Sequence, residues 1–189
     1  MSAVSALSVR PAIEADAQTI GTVYVASWLD TYAGLIPSTV LRRLDARQVA
    51  GRMRALLRAP RARERILVAE RDKAVIGMAT FGRSADRGLG FDSELYTLYV
   101  DPAHFGRGAG GALLDAVLGA EAARGAASLV VWVLAANPAR FFYEAKGGKL
   151  IATRELKQWG VRLPSLGYGW SELKPVRGAR AGGRAARRN

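Results

Sequence analysis

The chain has 189 residues, half of them hydrophobic and 23% charged, which is long enough to bury a core and too apolar for disorder over most of its length. With no cysteine and a single histidine, His104, it excludes disulfides, thiolate metal centres, cysteine nucleophiles and histidine-rich metal sites. The net charge of +12 makes a phosphate-bearing partner worth seeking, and no apolar run approaches the roughly 18 residues that span a bilayer.

The opening "MSAVSALSVRP" lacks the charged start and apolar stretch of a secretory leader, and the expectation from it is a cytoplasmic product. "LSVRPA" at 7–12 reads as a short strand closed by a proline. Ile13, Ala17, Ile20, Val23 and Tyr24, with Ser27 and Trp28 beyond, recur at helical spacing and predict a helix over 14–28. Trp28 and Tyr32, four apart, meet on its end. "GLIPSTVLRRL" restarts a helix with Ser38 as cap after Pro37, and 48–59 forms another. Two β-rich runs at 65–70 and 74–81 flank "RDK" and make a hairpin.

A loop at 82–92 leads into the strand 94–100, "ELYTLYV", stopped by Pro102. "HFGRGAGGALLDAVL" at 104–118 follows, with Gly106, Gly108, Gly110 and Gly111 ahead of an apolar helical stripe of Leu113, Leu114, Val117 and Leu118 that ends at Gly125. "SLVVWVLAAN" is the near-continuous apolar run of a strand buried on both faces, with Trp132 in the core. "NPARFFYEAKGG" gives a helix between Pro138 and Gly147, and strands at 149–155 and 166–173 close the domain. Residues 1–173 form this domain. From Lys174 onward, "KPVRGARAGGRAARRN" carries one Lys, five Arg and no acid, a basic extension over 174–189 without apolar periodicity. Such a segment either attracts the phosphates of RNA or a ribosome, or only keeps the chain soluble.

Gly106, Gly108 and Gly111 satisfy G-x-G-x-x-G, the spacing of a dinucleotide-binding turn. That reading needs a strand directly before the first glycine and an acid at the end of the next strand. Here five residues separate Val100 from Gly106, and "SLVVWVLAAN" has no acid. A different phosphate site fits: successive backbone amides entering a helix N-terminus, brought close by glycine and assisted by Arg107. A pyrophosphate is its natural occupant.

On these residues the chain resembles the GCN5-related N-acetyltransferases. "ELYTLYVDPAHFGRGAGGALL" followed by "NPARFFYEAKGG" carries the resemblance, which extends over about residues 7–173, including "VRPAIEADAQTI" and "SWLDTYAGLIP". It implies an α/β fold with a mixed, mostly antiparallel sheet of six or seven strands and helices on both faces. It also implies acetyl-CoA as donor and no metal, with Leu98, Tyr99, Val100, Phe105, Gly106, Arg107, Gly108, Ala109, Gly110, Asn137 and Tyr143 holding the donor. Phe105 stands where the family usually has Gln or Arg, and Arg140 where it has alanine. Glu94 falls at the position used as general base by histone-acetylating relatives, and Tyr143 at that of the acid that reprotonates the thiolate.

Each assignment has a plainer alternative. Glu94 also suits a solvent-facing strand start, Tyr143 a core position, and His104 a surface one. Tyr96 shares a strand face with Glu94 and lines the acceptor pocket or relays protons; Trp28 and Tyr32 pack in the core or line that pocket. The expected activity is direct acetyl transfer to a small-molecule or peptide amine. A catalytically inactive acetyl-CoA-binding module and a ribosome-associated enzyme acetylating a protein partner are the alternatives. The acceptor is left unnamed, the residues that choose it falling in 28–60 and 155–168. Oligomeric state stays open, a homodimer included.

Overall fold

A computed structural model of the chain describes residues 6–58 and 64–174. Residues 175–189, which hold all but the first residue of the basic extension, lie outside the described residues, as does Pro60 with its neighbours. Seven strands form one sheet in the order β1-β2-β3-β4-β5-β7-β6. The strands are β1 (Leu7–Pro11), β2 (Glu64–Arg71), β3 (Ala74–Arg83), β4 (Ser93–Val100), β5 (Leu129–Leu134), β6 (Lys149–Gln158) and β7 (Val161–Trp170). Only β4 and β5 run parallel; every other pair is antiparallel. The expected mixed, mostly antiparallel α/β sheet is therefore what forms, with the larger of the two strand counts.

Helices α1 (Ala17–Thr31), α2 (Ser38–Leu41) and α3 (Ala46–Arg58) precede the hairpin; α4 (Ala109–Ala123) and α5 (Ala139–Ala145) follow β4 and β5. One layer of core forms where α1 sets Ile20 and Val23 against Ile66, Val68 and Met78 of the sheet, with Met53, Leu56 and Leu57 of α3 closing over them. The opposite face buries Leu113, Leu114 and Val117 of α4 against Ala79, Phe81, Leu95, Leu129 and Val131. Burying side chains of this size gives each face roughly 1.5–3 kcal/mol per residue in transfer free energy, which fixes the register of every strand to its inward-facing residues. Among the described residues no helix is long and apolar enough to cross a membrane.

Three sequence expectations are corrected. Ile13 does not join the apolar stripe of α1; it is exposed, and a 3₁₀ turn at Glu14–Asp16 separates it from the helix. The reason is polar. Asp16 is buried and accepts two bonds from the Arg10 guanidinium, at 2.7 and 2.9 Å, and one from the Ile13 amide at 2.8 Å. Arg10 in turn reaches Glu70 at 2.5 Å, so the start of α1 is tied to β1 and β2 and displaced from where periodicity puts it. Ser38 does not cap α2, since it is the first helical residue and Pro37 occupies the cap; its hydroxyl accepts a 2.9 Å bond from Arg42. The last two strands run longer than expected and meet in a tight hairpin at Trp159 and Gly160, both at positive φ.

The crossing of α1 and α3 depends on Gly21. A Cβ there would lie 2.3 Å from the Ala46 carbonyl oxygen and 3.0 Å from the Ala50 amide nitrogen, both backbone atoms that cannot swing aside. Gly21→Ala is therefore expected to push the helices apart and cost about 1–3 kcal/mol, against the small gain alanine normally brings to a helix interior. Urea denaturation followed by circular dichroism checks this: the midpoint falls while the slope stays constant.

Candidate functional site

Strands β4 and β5 pair over three residues only, Ser93–Leu95 against Leu129–Val131. Beyond them the strands part. The pairing of β4 with β3 slips at Tyr96, because Thr80 faces Thr97 while Phe81 faces Leu95, so one extra residue bends β4 away. At this slip the Thr97 hydroxyl lies 2.7 Å from that of Thr80, and the Tyr96 hydroxyl donates a 2.6 Å bond to the Arg83 carbonyl. From Tyr96 to Val100 the edge of β4 that faces β5 has no strand partner, so its backbone groups are open to a ligand.

A cleft of about 980 Å³ opens at this divergence. Leu98, Tyr99 and Val100 form one wall; Trp132, Asn137 and Tyr143 form the other; Phe105, Gly106, Gly108, Ala109 and Gly110 close its end. Gly106 and Gly108 sit at φ of +71° and +87°, a region glycine enters without steric cost, and Gly108 caps α4. The Ala112 amide donates to the Gly108 carbonyl at 3.0 Å, so the amides just before it have no acceptor one turn back. They face the mouth of a helix whose dipole favours negative charge.

A second cavity of about 640 Å³ lies by the other end of α4, among Arg65, Arg83, Arg87 and Arg124. It also contains Asp92 and Glu121, and it meets the carbonyl end of the helix, so it offers a polyphosphate much less.

The structure brings most predicted residues together and separates a few. Tyr32 and Tyr96 line the cleft beside the glycine-loop residues. Arg107 does not; its side chain is outside the lining, and its carbonyl accepts a 2.8 Å bond from Arg71. Trp28 is one step removed, stacked on Tyr24 at 5.4 Å, tilted against Tyr32 at 4.8 Å and edge-on to Trp159 at 6.1 Å. His104 lines the cleft at the start of the loop rather than lying wholly at the surface. Trp132, expected in the core, is half-buried on the cleft wall. Lys146, not foreseen, also lines the cleft and is held by Asp115 at 2.9 and 3.1 Å; a Cβ on Gly111 would press on it at 3.1 Å. A lysine after a helix reads in sequence as a mate for the helix dipole, so nothing marked it as a cleft residue.

Burial raises the phenols of Tyr32, Tyr96 and Tyr99 along the cleft, and it perturbs two further groups that bear on proton transfer. The Glu94 carboxyl, on the α1-facing side of β4, is pushed above the usual carboxylate range; a long 3.3 Å bond from the Ala85 amide and the positive charge of Arg154 oppose this in part. Glu94 lies outside the cleft lining, two residues before the bulge. The Tyr143 phenol is pushed up by burial, with the Tyr32 phenol a smaller contribution, so it stays protonated across the physiological range. Asn137 is buried, and its Oδ1 accepts a 2.8 Å bond from the Ala139 amide, which fixes the entry to α5 and so the position of Tyr143. The arrangement offers unpaired amides for an anion, a raised carboxyl able to accept a proton and a neutral phenol able to give one.

Comparison with known proteins agrees with this geometry. The family described as acetyltransferase (GNAT) domain matches residues 62–147. The uncharacterized N-acetyltransferase YuaI of Bacillus subtilis is 33% identical over 174 residues, covering 90% of this chain and 96% of its own. Among solved structures, yncA of Salmonella typhimurium with its cofactor acetyl-CoA superposes with a TM-score of 0.66 at 24% identity, covering 94% of this chain and 99% of that one. The paia N-acetyltransferase of Thermoplasma acidophilum in complex with coenzyme A gives 0.65 at 21%, covering 85% and 98%. A relative this similar over nearly the whole length, together with the parted strands and the glycine-capped helix, establishes that the chain belongs to the GCN5-related N-acetyltransferase family.

Proposed function

We propose that this enzyme binds acetyl-CoA in the cleft between β4 and β5 and transfers the acetyl group directly to an amine. The single observation that carries this reading is the set of open amides where Gly108 starts α4, in line with the unpartnered edge of β4. Two of the solved structures that share the fold hold coenzyme A or acetyl-CoA, which supports the same ligand here. The amides of the glycine loop grip the diphosphate, and Lys146 adds a positive charge beside them. Backbone groups of Leu98, Tyr99 and Val100 extend the pantetheine arm along β4, and a main-chain N–H there polarises the thioester carbonyl. A donor aimed at developing oxyanion charge is worth about 2.7–4 kcal/mol where one has been removed elsewhere. Phe105 lends an exposed ring to the cleft end in place of a polar chain, so the amides carry the phosphate contact.

Glu94 removes the proton that the acceptor ammonium must lose, through water where the groups do not touch. The amine nitrogen then bonds to the acetyl carbon, the carbon–sulfur bond breaks as Tyr143 gives its proton to the leaving thiolate, and the second proton shed by the nitrogen passes through water to restore the phenol. Burial prepares both groups: a carboxyl held above its usual range is a stronger base, and a phenol kept neutral has a proton to give.

Calorimetric titration with coenzyme A tests the donor site. One molecule binds per chain, and Gly108→Val, which cannot adopt φ of +87° without strain, weakens binding at least about tenfold. A native protein that leaves coenzyme A unbound overturns the assignment. Glu94→Gln is expected to lower kcat by roughly 10²–10⁴ and to remove the acidic limb of the kcat/KM profile, a limb lying above the ordinary carboxylate range. The same variant carries an opposite stability signature. Because folding raises the Glu94 pKa, ionising it disfavours the folded state, so Glu94→Gln raises Tm at pH 7 and has less effect below the unfolded carboxylate pKa. Tyr143→Phe lowers kcat with little change in the KM for acetyl-CoA, checked by steady-state kinetics.

A further inference from the structure

Arg154 is a guanidinium without an acid. On β6 it pairs in register with Ser165, beside Gly167 of β7, which pairs with Trp132 of β5. A Cβ on Gly167 would come within 3.2 Å of the Trp132 ring, so the indole lies flat across the space a side chain would otherwise fill. Arg154 covers that indole, its guanidinium carbon 3.8 Å from the ring centroid. A guanidinium held flat on an aromatic face keeps its N–H edge in plane and available for a bidentate carboxylate.

The surrounding acids are spent elsewhere. Glu155, next in sequence, points to the other face of β6 and pairs with Arg162 at 3.1 Å. Arg10, Arg54, Arg58, Arg65 and Arg162 each have a carboxylate partner; Arg154 is one of the described arginines with none within ion-pair distance, and it is the one stacked on a cleft-lining indole. The positive charge of Arg154 is felt at the Glu94 carboxyl, yet no hydrogen bond or ion pair joins the two. They face the same side of the sheet; Trp132 lines the cleft, while Glu94 and Arg154 stand just outside its lining, Arg154 against the indole. One end of that face is anionic and the other cationic.

We infer that Glu94 and Arg154 read opposite ends of the acceptor, so that the amine acetylated here belongs to a molecule carrying a carboxylate a few bonds away, an α-amino acid or similar zwitterion. The inference rests on the acetyl-transfer reading above. The ammonium is drawn to Glu94, which deprotonates it, while Arg154 takes the carboxylate and turns the nitrogen toward the thioester. Arg154 is a specificity residue: it touches the acceptor and moves no proton.

The test compares α-amino acids with the amines left when the carboxylate is removed, phenylalanine against phenethylamine for example, using acetyl-CoA and the full chain. The native enzyme favours the acids in kcat/KM. Arg154→Gln raises the KM for the acids by roughly ten- to a hundredfold, leaves kcat near its native value, and leaves the KM for the amines and the affinity for coenzyme A unchanged. Arg154→Lys, which keeps the charge but loses the fork, recovers part of the affinity. Equal use of acids and amines by the native enzyme, or an equal loss for both with Arg154→Gln, overturns the assignment while leaving acetyl transfer standing. Absence of turnover with every compound in both sets, despite bound coenzyme A, overturns this inference while leaving transfer to other amines standing; the acetyl-transfer reading itself falls if coenzyme A does not bind.

Discussion

The brevity of one parallel pairing governs this molecule. β4 and β5 share three residue pairs and then separate, and the separation leaves backbone hydrogen-bonding groups exposed inside an otherwise satisfied sheet. A sheet tolerates such a gap only where something else can satisfy the groups, because an unpaired buried amide or carbonyl costs about as much as a lost hydrogen bond. The extra residue at Tyr96 produces the bend, and the long pairings of β4 with β3 and of β5 with β7 hold the two strands rigid on either side of it. The cleft is thus a property of the scaffold and requires no loop to create it.

Rigid elements also set the polarity of the cleft. The glycine loop ends in the cap of α4, whose Leu113, Leu114 and Val117 are fully buried, so the helix whose N-terminus opens on the cleft is anchored by its apolar face. Asn137 fixes the start of α5 and thereby Tyr143 on the facing wall. Across the sheet, Arg10, Asp16 and Glu70 tie the start of α1 to two strands, which carries Tyr32 to the cleft. The same packing that stabilises the fold therefore aims its chemical groups. Glu94 is the exception, half-buried with one long hydrogen bond, and burial raises its pKa because little opposes the loss of solvation.

Much of the site was legible before any coordinates. The loop 104–111 announces itself through glycine spacing, and the apolar run 129–136 through its hydrophobicity, since both signals come from residues a few positions apart. Trp132 and Arg154 were not legible as a pair. They meet only because β7 lies between their strands and presents Gly167 at the matching register, a relation set by residues far apart in sequence. Pro164 and Trp159 hid the full length of the last hairpin: a proline argues against a strand interior, and a tryptophan at φ of +54° is not the asparagine or glycine expected in a two-residue turn.

Sequence alone determined the order and type of the elements, the glycine loop ahead of α4, the absence of cysteine and the family resemblance, because periodicity, glycine spacing and composition are local properties of the chain. Tertiary structure decided the start of α1, the position of Arg107 outside the cleft, the entry of Lys146 into it, and the stacking of Arg154 on Trp132. Each of those depends on which distant strand or helix lies alongside, and that is settled by the packing of two apolar faces against one sheet.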